Sequence, residues 1–135
     1  GDCSVSKLAR LEKIHLSAAK LIFELPEIPG SLTGLPSSWK PISYLYKLKI
    51  LCLTHKIFYG VCPEKLSSII KKSPVFRNMR DNLKLTMESP NTNFGRQSFR
   101  HRSAIVWNNI PIGVKIIEDY HNFKCKLRSC SVAVR

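Results

Sequence analysis

The segment ISYLYKLKILCLTHKIFY, residues 42 to 59, decides the fold of this chain. Its apolar residues recur at three- and four-residue steps and also fall between those steps, so the segment is apolar on more than one face. A helix of this kind is covered by other elements on several sides. The segment therefore predicts the central core helix, and Gly60 directly after it is typical of a helix C-terminus.

Two further helices are predicted on either side of this core helix. Residues 5 to 25 have apolar residues at helical spacing, and Pro26 ends the pattern. The residues at this spacing form one stripe along the helix, which consists of Val5, Leu8, Leu11, His15, Ala18, Ile22 and Leu25. Residues 26 to 41 contain four prolines and two glycines, which is typical of a connector. Pro63 lies at the first turn of a shorter predicted helix that reaches Lys72.

The remaining part of the chain combines one extended segment with two helices. Leu83, Leu85 and Met87 alternate with polar residues, as in a half-buried strand. A helix over residues 97 to 109 would place inward Phe99, Ser103, Val106, Trp107 and Ile110. A last helix, with Asp119 as its N-cap, would place inward Tyr120, Phe123, Leu127 and Cys130. We expect a mainly α fold, a small helical domain of about four to five helices with one short β-hairpin.

Length and composition exclude several classes of protein. The chain has 135 residues, and its net charge of +13 comes from 22 Lys and Arg against 9 Asp and Glu. The length fits one domain, and a hydrophobic content of 44% is enough for a core. The sequence contains no run of about 18 apolar residues, so it predicts no transmembrane helix. No signal-peptide pattern is present at the N-terminus. Because the first residue is Gly1, we expect a piece of a longer product.

The cysteines favour a reducing compartment. They are Cys3, Cys52, Cys62, Cys125 and Cys130. Their odd number and wide spacing are not those of a disulfide framework, so we expect free thiols in a nuclear or cytoplasmic protein. His121, Cys125 and Cys130 form the nearest approach to a zinc site, but a structural site needs two close ligand pairs. We therefore expect no metal and no other cofactor.

The positive charge is concentrated in the second part of the chain. Residues 1 to 64 have 8 basic and 5 acidic residues, whereas residues 65 to 135 have 14 basic and 4 acidic residues. Arginine side chains bind phosphates in a bidentate manner. We therefore predict nucleic-acid binding, through phosphate contacts, by the arginines of this part, which are Arg77, Arg80, Arg96, Arg100 and Arg102.

Two aromatic residues lie among these arginines. Phe94 and Phe99 could stack on bases if they were exposed, but we expect them in the core. On a helix, Arg96 and Arg100 would share a face because they are four residues apart. The interface predicted from the sequence is thus a basic helix face with its aromatic rings turned inward.

Residues that could carry catalysis are few. Asp2, Asp81 and Asp119 stand apart in the sequence, whereas two-metal phosphoryl transfer needs several carboxylates close together. The sequence has neither a Walker loop nor a Gly-x-Ser-x-Gly turn. A Cys/His dyad assembled in three dimensions is compatible with the composition, but no spacing indicates one. We expect a chain that is not an enzyme and binds no small-molecule ligand.

Several short motifs occur in a fixed order along the chain. In the first half of the chain they are LEKIH and AAKLI within residues 11–22, then Trp39 with Pro41 and Ile42, then KILCL at 49–53 with Lys56, Gly60 and Pro63. The next two motifs are Arg77 and Arg80 with Leu83 and Leu85, and Phe94 and Gly95 with Ser98 and Phe99. The last two are Val106, Trp107 and Asn108 with Ile110 and Pro111, and Phe123 and Lys124 with Leu127. In this order they resemble the extreme C-terminal region of non-long-terminal-repeat retrotransposon reverse transcriptases, of the jockey-like and chicken-repeat-like clades. The resemblance covers about residues 8 to 130.

The resemblance implies that the parent protein is an RNA-directed DNA polymerase that nicks target DNA and copies element RNA. The polymerase's Tyr/Phe-x-Asp-Asp motif does not occur in this chain, so the resemblance assigns no catalytic residue, and it implies structural roles for Trp39, Trp107 and the motif glycines. Residues 1 to 135 would form a single C-terminal accessory region of a larger polyprotein. Its helical front would be residues 5–72, and its basic hairpin-plus-helix back would be residues 73–130.

The expected partners are the RNA or DNA backbone and the upstream polymerase domain of the same polyprotein. Two alternatives stay open: a structural module that packs on the polymerase thumb, or a decayed element fragment without activity. We expect no membrane partner, because the first helix has only Phe23 as an aromatic anchor.

Overall fold

The computed structural model describes residues 5–24, 35–36, 38–74 and 82–129, and the described residues form seven helices. In chain order they are α1 (Val5–Ile22), α2 (Ile42–Phe58), α3 (Glu64–Ser67), α4 (Asn93–Gln97), α5 (Phe99–Asn108), α6 (Ile112–Lys115) and α7 (Tyr120–Ser129). The predicted mainly α fold is confirmed. The chain divides into two compact units within α2, between Tyr46 and Lys47.

In the smaller unit, α1 contacts the residues that precede α2. The His15 ring stacks on Trp39 with 4.4 Å between the ring centroids, and Phe23 meets Trp39 edge-on at 5.7 Å. The hydroxyl of Ser43 donates a hydrogen bond to the Glu12 carboxylate at 3.4 Å. Trp39 therefore joins α1 to the segment before α2 in this unit.

The apolar stripe predicted for α1 coincides only in part with its covered face. Leu8 and His15 of that stripe are half-buried, and His15 stacks on Trp39, whereas Ile22 and Leu11 are 65% and 45% exposed. Ala19, outside the stripe, is fully buried. Leu16, also outside the stripe, is half-buried. The periodicity identified the helix correctly, but α1 carries apolar residues on two adjacent faces, and spacing alone does not choose between them.

In the larger unit, α2 provides the centre of the core. Its buried residues include consecutive positions, so α2 is covered on more than one face; they are Leu48, Ile50, Leu51, Cys52, Thr54, His55, Ile57 and Phe58. The helix ends in a Schellman motif, in which Val61 N–H donates to Lys56 O at 2.8 Å and Gly60 N–H donates to Ile57 O at 3.3 Å. Gly60 has a φ of +73°, a conformation that glycine adopts without strain.

Aromatic rings from α2, α5 and α7 meet in this core. Phe58 of α2 stacks on Trp107 of α5 at 5.2 Å, and His55 of α2 stacks on Phe123 of α7 at 4.1 Å. Trp107 and Phe123 are fully buried, and their ring centroids are 6.0 Å apart. The predicted N-cap of the last helix is confirmed, because the Asp119 carboxylate accepts a hydrogen bond from the backbone of Asn122 at 2.7 Å. Cys130 lies outside the described residues.

The predicted β-hairpin is wrong for the described residues. They contain one isolated antiparallel bridge between Lys72 and Leu85, and no strand. The side-chain amide of Asn108 binds the backbone of Leu85, with Leu85 N–H donating to Asn108 Oδ1 at 2.9 Å and Asn108 Nδ2 donating to Leu85 O at 3.0 Å. A side chain thus satisfies polar groups that a neighbouring strand would otherwise bind. The alternating pattern still marks burial correctly at Leu85, which is 3% exposed.

The helix predicted over residues 97 to 109 is present in a shorter form as α5. Ser98 has extended backbone angles, φ −64° and ψ 147°, and it separates α5 from α4. The hydroxyls of Thr92 and Ser98 cap these two helices by accepting hydrogen bonds from the backbones of Gly95 and His101. The sequence prediction omitted α4 and α6, which have five and four residues.

Candidate nucleic-acid interface

Three of the five predicted phosphate-binding arginines lie among the described residues. Arg96 is on α4, and Arg100 and Arg102 are on α5, whereas Arg77 and Arg80 lie outside the described residues. Because Ser98 interrupts the helix, Arg96 and Arg100 do not share a helix face. The prediction of one continuous basic face is therefore wrong, because the arginines lie on two separate helices.

Arg100 is bound by other residues of the fold. Its Nε donates a hydrogen bond to the carbonyl of Ile69 at 3.0 Å, and its Nη1 lies 3.2 Å from Glu88 Oε2. The other carboxylate oxygen, Glu88 Oε1, lies 3.0 Å from Lys71 Nζ. Glu88 thus joins Lys71 to Arg100, and we call these three residues the Glu88 network.

The Glu88 network is accessible to solvent. The side chains of Lys71, Glu88 and Arg100 are 60%, 41% and 40% exposed. The hydrogen bond from Lys71 lowers the pKa of the Glu88 carboxyl, and the positive charges of Arg100 and Lys71 act in the same direction. The backbone carbonyl of Glu88 accepts a hydrogen bond from His101 Nδ1 at 3.0 Å, so the backbone at Glu88 is attached to α5.

The arrangement on α4 is different, because two unlike side chains point into solvent there. Phe94 is 86% exposed, and Arg96 is exposed without an ion-pair partner among the described residues. The prediction that Phe94 belongs to the core is wrong. Phe99, the other aromatic of the basic cluster, is half-buried.

Gly95 of α4 lies close to Pro90. A Cβ atom on Gly95 would lie 2.6 Å from Pro90 Cβ, so the α4 backbone contacts Pro90 at this position. The neighbouring Phe94 is about 100° further round the helix, and its side chain is exposed. Ser98 Oγ donates to Gly95 O at 2.7 Å, which links the end of α4 to the start of α5. In this glycine-containing motif, Gly95 and Ser98 are structural and Phe94 is available for contacts.

Residues of α5 also bind the extended segment that precedes α4. Trp107 Nε1 donates to Leu83 O at 2.7 Å, and Asn108 binds the backbone of Leu85. The intervening Lys84 is exposed. Arg102 is half-buried and makes an interaction within the fold.

Lys71 and Glu88 are residues of this site that the sequence predictions did not include. Lys71 lies 17 residues before Glu88 in the sequence, and no local motif connects the two. One available signal was the scarcity of acidic residues, since residues 65 to 117 contain only Asp81 and Glu88 against ten basic residues. So few carboxylates among so many cations favour ion pairing at each of them.

A separate open cavity of about 540 Å³ lies at the C-terminal end of α2. Its lining is mostly apolar and consists of Ile57, Phe58, Tyr59, Gly60, Ser67, Ile70 and Lys72. Lys72 Nζ lies 4.4 Å from the centroid of the Phe58 ring, a cation–π contact. No carboxylate, imidazole or thiol is found among the described residues that line this cavity.

The cysteines and histidines of the described residues form no cluster of metal-ligand type. Within this part of the chain, no group of three or more His, Cys, Asp or Glu side chains could hold a metal ion. His121 and Cys125 come closest, with 3.6 Å between Nε2 and Sγ. Cys52, Cys62 and Cys125 are free thiols, and Cys3 and Cys130 lie outside the described residues.

The described helices include none that is both long and apolar enough to cross a membrane. The chain matches no protein-family model, and comparisons with curated proteins and with solved structures find no similar protein.

Proposed function

We propose that this chain binds the sugar-phosphate backbone of RNA or DNA, as a non-catalytic C-terminal segment of a retrotransposon endonuclease/reverse transcriptase polyprotein. The observation that carries the proposal is the exposure of two side chains on α4, Arg96 and the 86% exposed Phe94, which lie two residues apart. A guanidinium group binds phosphate oxygens, and an aromatic ring stacks on bases. Both kinds of contact are therefore available to a single-stranded nucleic acid at α4.

The charge of the larger unit supports this proposal. Its described residues carry 14 Lys and Arg against 4 Asp and Glu. Of these four carboxylates, Glu88 is engaged by two cations and Asp119 caps α7. The remaining cationic excess attracts a polyanion over a distance of about one Debye length.

Binding as a function of salt concentration tests the proposal. Fluorescence anisotropy with labelled single-stranded RNA and DNA of about 20 nucleotides would cover typical binding-site lengths. If about six phosphates of the single strand are neutralised, the logarithm of the affinity falls with the logarithm of salt concentration with a slope of about −4, roughly three-hundredfold between 50 and 200 mM. Affinity that does not change with salt, or no binding at low salt, would contradict the proposal.

Substitution of the arginines locates the contact. Arg96→Ala should weaken binding to all sequences alike, because phosphate contacts carry no sequence information. Lys13→Ala is the matched control, since it removes one exposed cation from α1 in the smaller unit. An equal loss of affinity in both variants would point to net charge alone, and would contradict a site on α4.

One observation favours a second candidate function, a structural module that packs on the thumb of a polymerase. The helix α1 exposes large apolar side chains at helical spacing, among them Ile14 at 66% and Leu21 at 82%. Apolar surface of this kind often contacts another protein. Replacing both residues by serine should leave the free chain as stable as before and abolish co-purification with the thumb of a retroelement reverse transcriptase. Unchanged co-purification would contradict this candidate.

A further inference from the structure

The guanidinium of Arg100 and the backbone of Lys71 are held independently of the carboxylate between the two side chains. Arg100 lies on α5, and its Nε is bound to the carbonyl of Ile69. Lys71 belongs to the segment that pairs with residues 84–86, since its carbonyl accepts a hydrogen bond from Thr86 N–H at 2.8 Å. If the Glu88 side chain rotated away, the Arg100 guanidinium would therefore keep its position, and the Lys71 ammonium would stay within reach on a fixed backbone.

Each oxygen of the Glu88 carboxylate engages one of the two cations. Glu88 Oε1 binds Lys71 and Glu88 Oε2 binds Arg100. The phosphodiester group also presents two non-bridging oxygens with a shared negative charge, and guanidinium and ammonium groups bind it as they bind carboxylates. A group with these two properties could replace Glu88 between the same cations.

We propose that Lys71 and Arg100 form a phosphodiester-binding site that Glu88 occupies in the free protein. The proposal rests on the proposed function, because the phosphodiester is taken to be that of a bound RNA or DNA strand. Glu88 acts as an internal competitor that lowers affinity for the strand. Exchange is feasible because all three side chains reach solvent, where ion pairs are weak and quickly replaced.

The backbone contacts restrict the change that opening of the site requires. His101 Nδ1 binds the carbonyl of Glu88 and keeps its backbone attached to α5. Only the Glu88 side chain has to rotate for the carboxylate to leave. The site therefore opens without separating the 84–86 segment from residues 71–73.

Glu88→Gln is the direct test, measured by anisotropy with the same labelled RNA and DNA strands. The amide is neutral and competes poorly, so affinity should rise about three- to tenfold, as expected for the loss of two exposed ion pairs. Glu64→Gln is the matched control, because it removes the same charge from an exposed glutamate in α3 that forms no ion pair among the described residues. Its affinity should change less than about twofold.

The outcomes separate this inference from the proposed function. If neither the wild-type chain nor Glu88→Gln binds a strand at low salt, the proposed function fails. If the wild-type chain binds and Glu88→Gln binds equally or more weakly, only the Glu88 site fails. In the Lys71→Ala, Glu88→Gln double variant, the gain should be lost; a gain retained in full would show that Lys71 takes no part.

A second measurement does not depend on the folding of any variant. In the wild-type chain, the side-chain carboxyl ¹³C resonance of Glu88 should shift as unlabelled strand is added, because its two cations exchange partners. The corresponding resonance of Glu64 should stay in place. A Glu88 resonance that does not move while the strand binds would overturn the proposal.

Discussion

The side-chain amide of Asn108 binds both backbone polar groups of Leu85. Leu85 N–H donates to Oδ1 at 2.9 Å, and Nδ2 donates to the Leu85 carbonyl at 3.0 Å. Because Asn108 lies on α5, this pair of hydrogen bonds joins a helix to an extended segment that has a single backbone bridge within the part of the chain that the structure describes. The pair thus attaches Leu85 to α5 by side-chain rather than strand pairing.

Asn108→Ala should destabilise the larger unit by about 2–3 kcal/mol, because it removes two hydrogen bonds and leaves the partly buried polar groups of Leu85 without partners. Urea unfolding monitored by circular dichroism would measure the change. Asn109→Ala is the control, since Asn109 is exposed at the C-terminus of α5. Equal effects of the two substitutions would show that the amide contact contributes little.

Gly95→Ala should destabilise the chain by about 1–3 kcal/mol, because the added Cβ would lie 2.6 Å from Pro90 Cβ and the backbone would have to move. Gly113→Ala is the opposite case, since nothing lies within 4 Å of its added Cβ. It should stabilise the chain by about 0.5 kcal/mol through the lower entropy of the unfolded state. Thermal unfolding would compare the two, and a neutral Gly95→Ala would refute the close contact.

The stability of the chain should fall as the pH decreases below about 6.5, the ordinary pKa of histidine. Burial lowers the pKa of His55, although its hydrogen bond to the Ile117 carbonyl and the charge of Asp119 oppose this. The folded state therefore keeps His55 neutral, with Nε2 donating to Ile117 O at 2.7 Å, while the unfolded state takes up a proton. Stability is complete above pH 6.5 and declines as the pH falls towards the lowered pKa.

His55→Gln tests the origin of this acid sensitivity. The glutamine amide does not titrate and can donate to the Ile117 carbonyl, so the urea midpoint should depend less on pH between about pH 7 and pH 5.5. Glu88 adds to the loss of stability only at lower pH than His55 does. A carboxyl whose pKa is lowered in the folded state loses its stabilising effect as the pH falls below the ordinary pKa of the group. An unchanged pH profile in His55→Gln would place the sensitivity elsewhere.

Phe94→Ala should leave stability unchanged and weaken binding to single strands by about 1–3 kcal/mol, roughly five- to hundredfold, if the ring stacks on a base. Its 86% exposure explains the first part, because little apolar surface is buried there. Phe94→Tyr keeps an aromatic ring and should bind normally, whereas Phe94→Leu keeps only apolar surface and should bind weakly. Equal affinity of the tyrosine and leucine variants would argue against stacking.

Several features of this fold follow from local sequence. Helical spacing identified α1, α2 and α7, and Gly60 and Asp119 marked a helix end and a helix start. These signals are readable because the interactions behind them join residues only a few positions apart. The helix break at Ser98 also has a local signal, since serine is a favoured N-cap. The residues on both sides of Ser98 are compatible with a helix, so the sequence was interpreted as one continuous helix across it.

The candidate site was only partly readable. Arginine density pointed to Arg96 and Arg100, but the sequence placed Phe94 in the core, whereas its side chain is 86% exposed. Lys71 and Arg100 come together through Glu88, although 29 positions separate them in the sequence. No spacing rule describes contacts of this range.

The sequence by itself determined the mainly helical character, the central place of α2 and the concentration of positive charge after residue 64, because composition and short-range periodicity carry this information. The packing of the folded chain fixes which face of α1 is covered, the role of Asn108 as the partner of Leu85, and the absence of an ion-pair partner for Arg96 among the described residues. These outcomes depend on packing and hydrogen bonds between distant segments, and each is fixed only when the side chains of those segments meet.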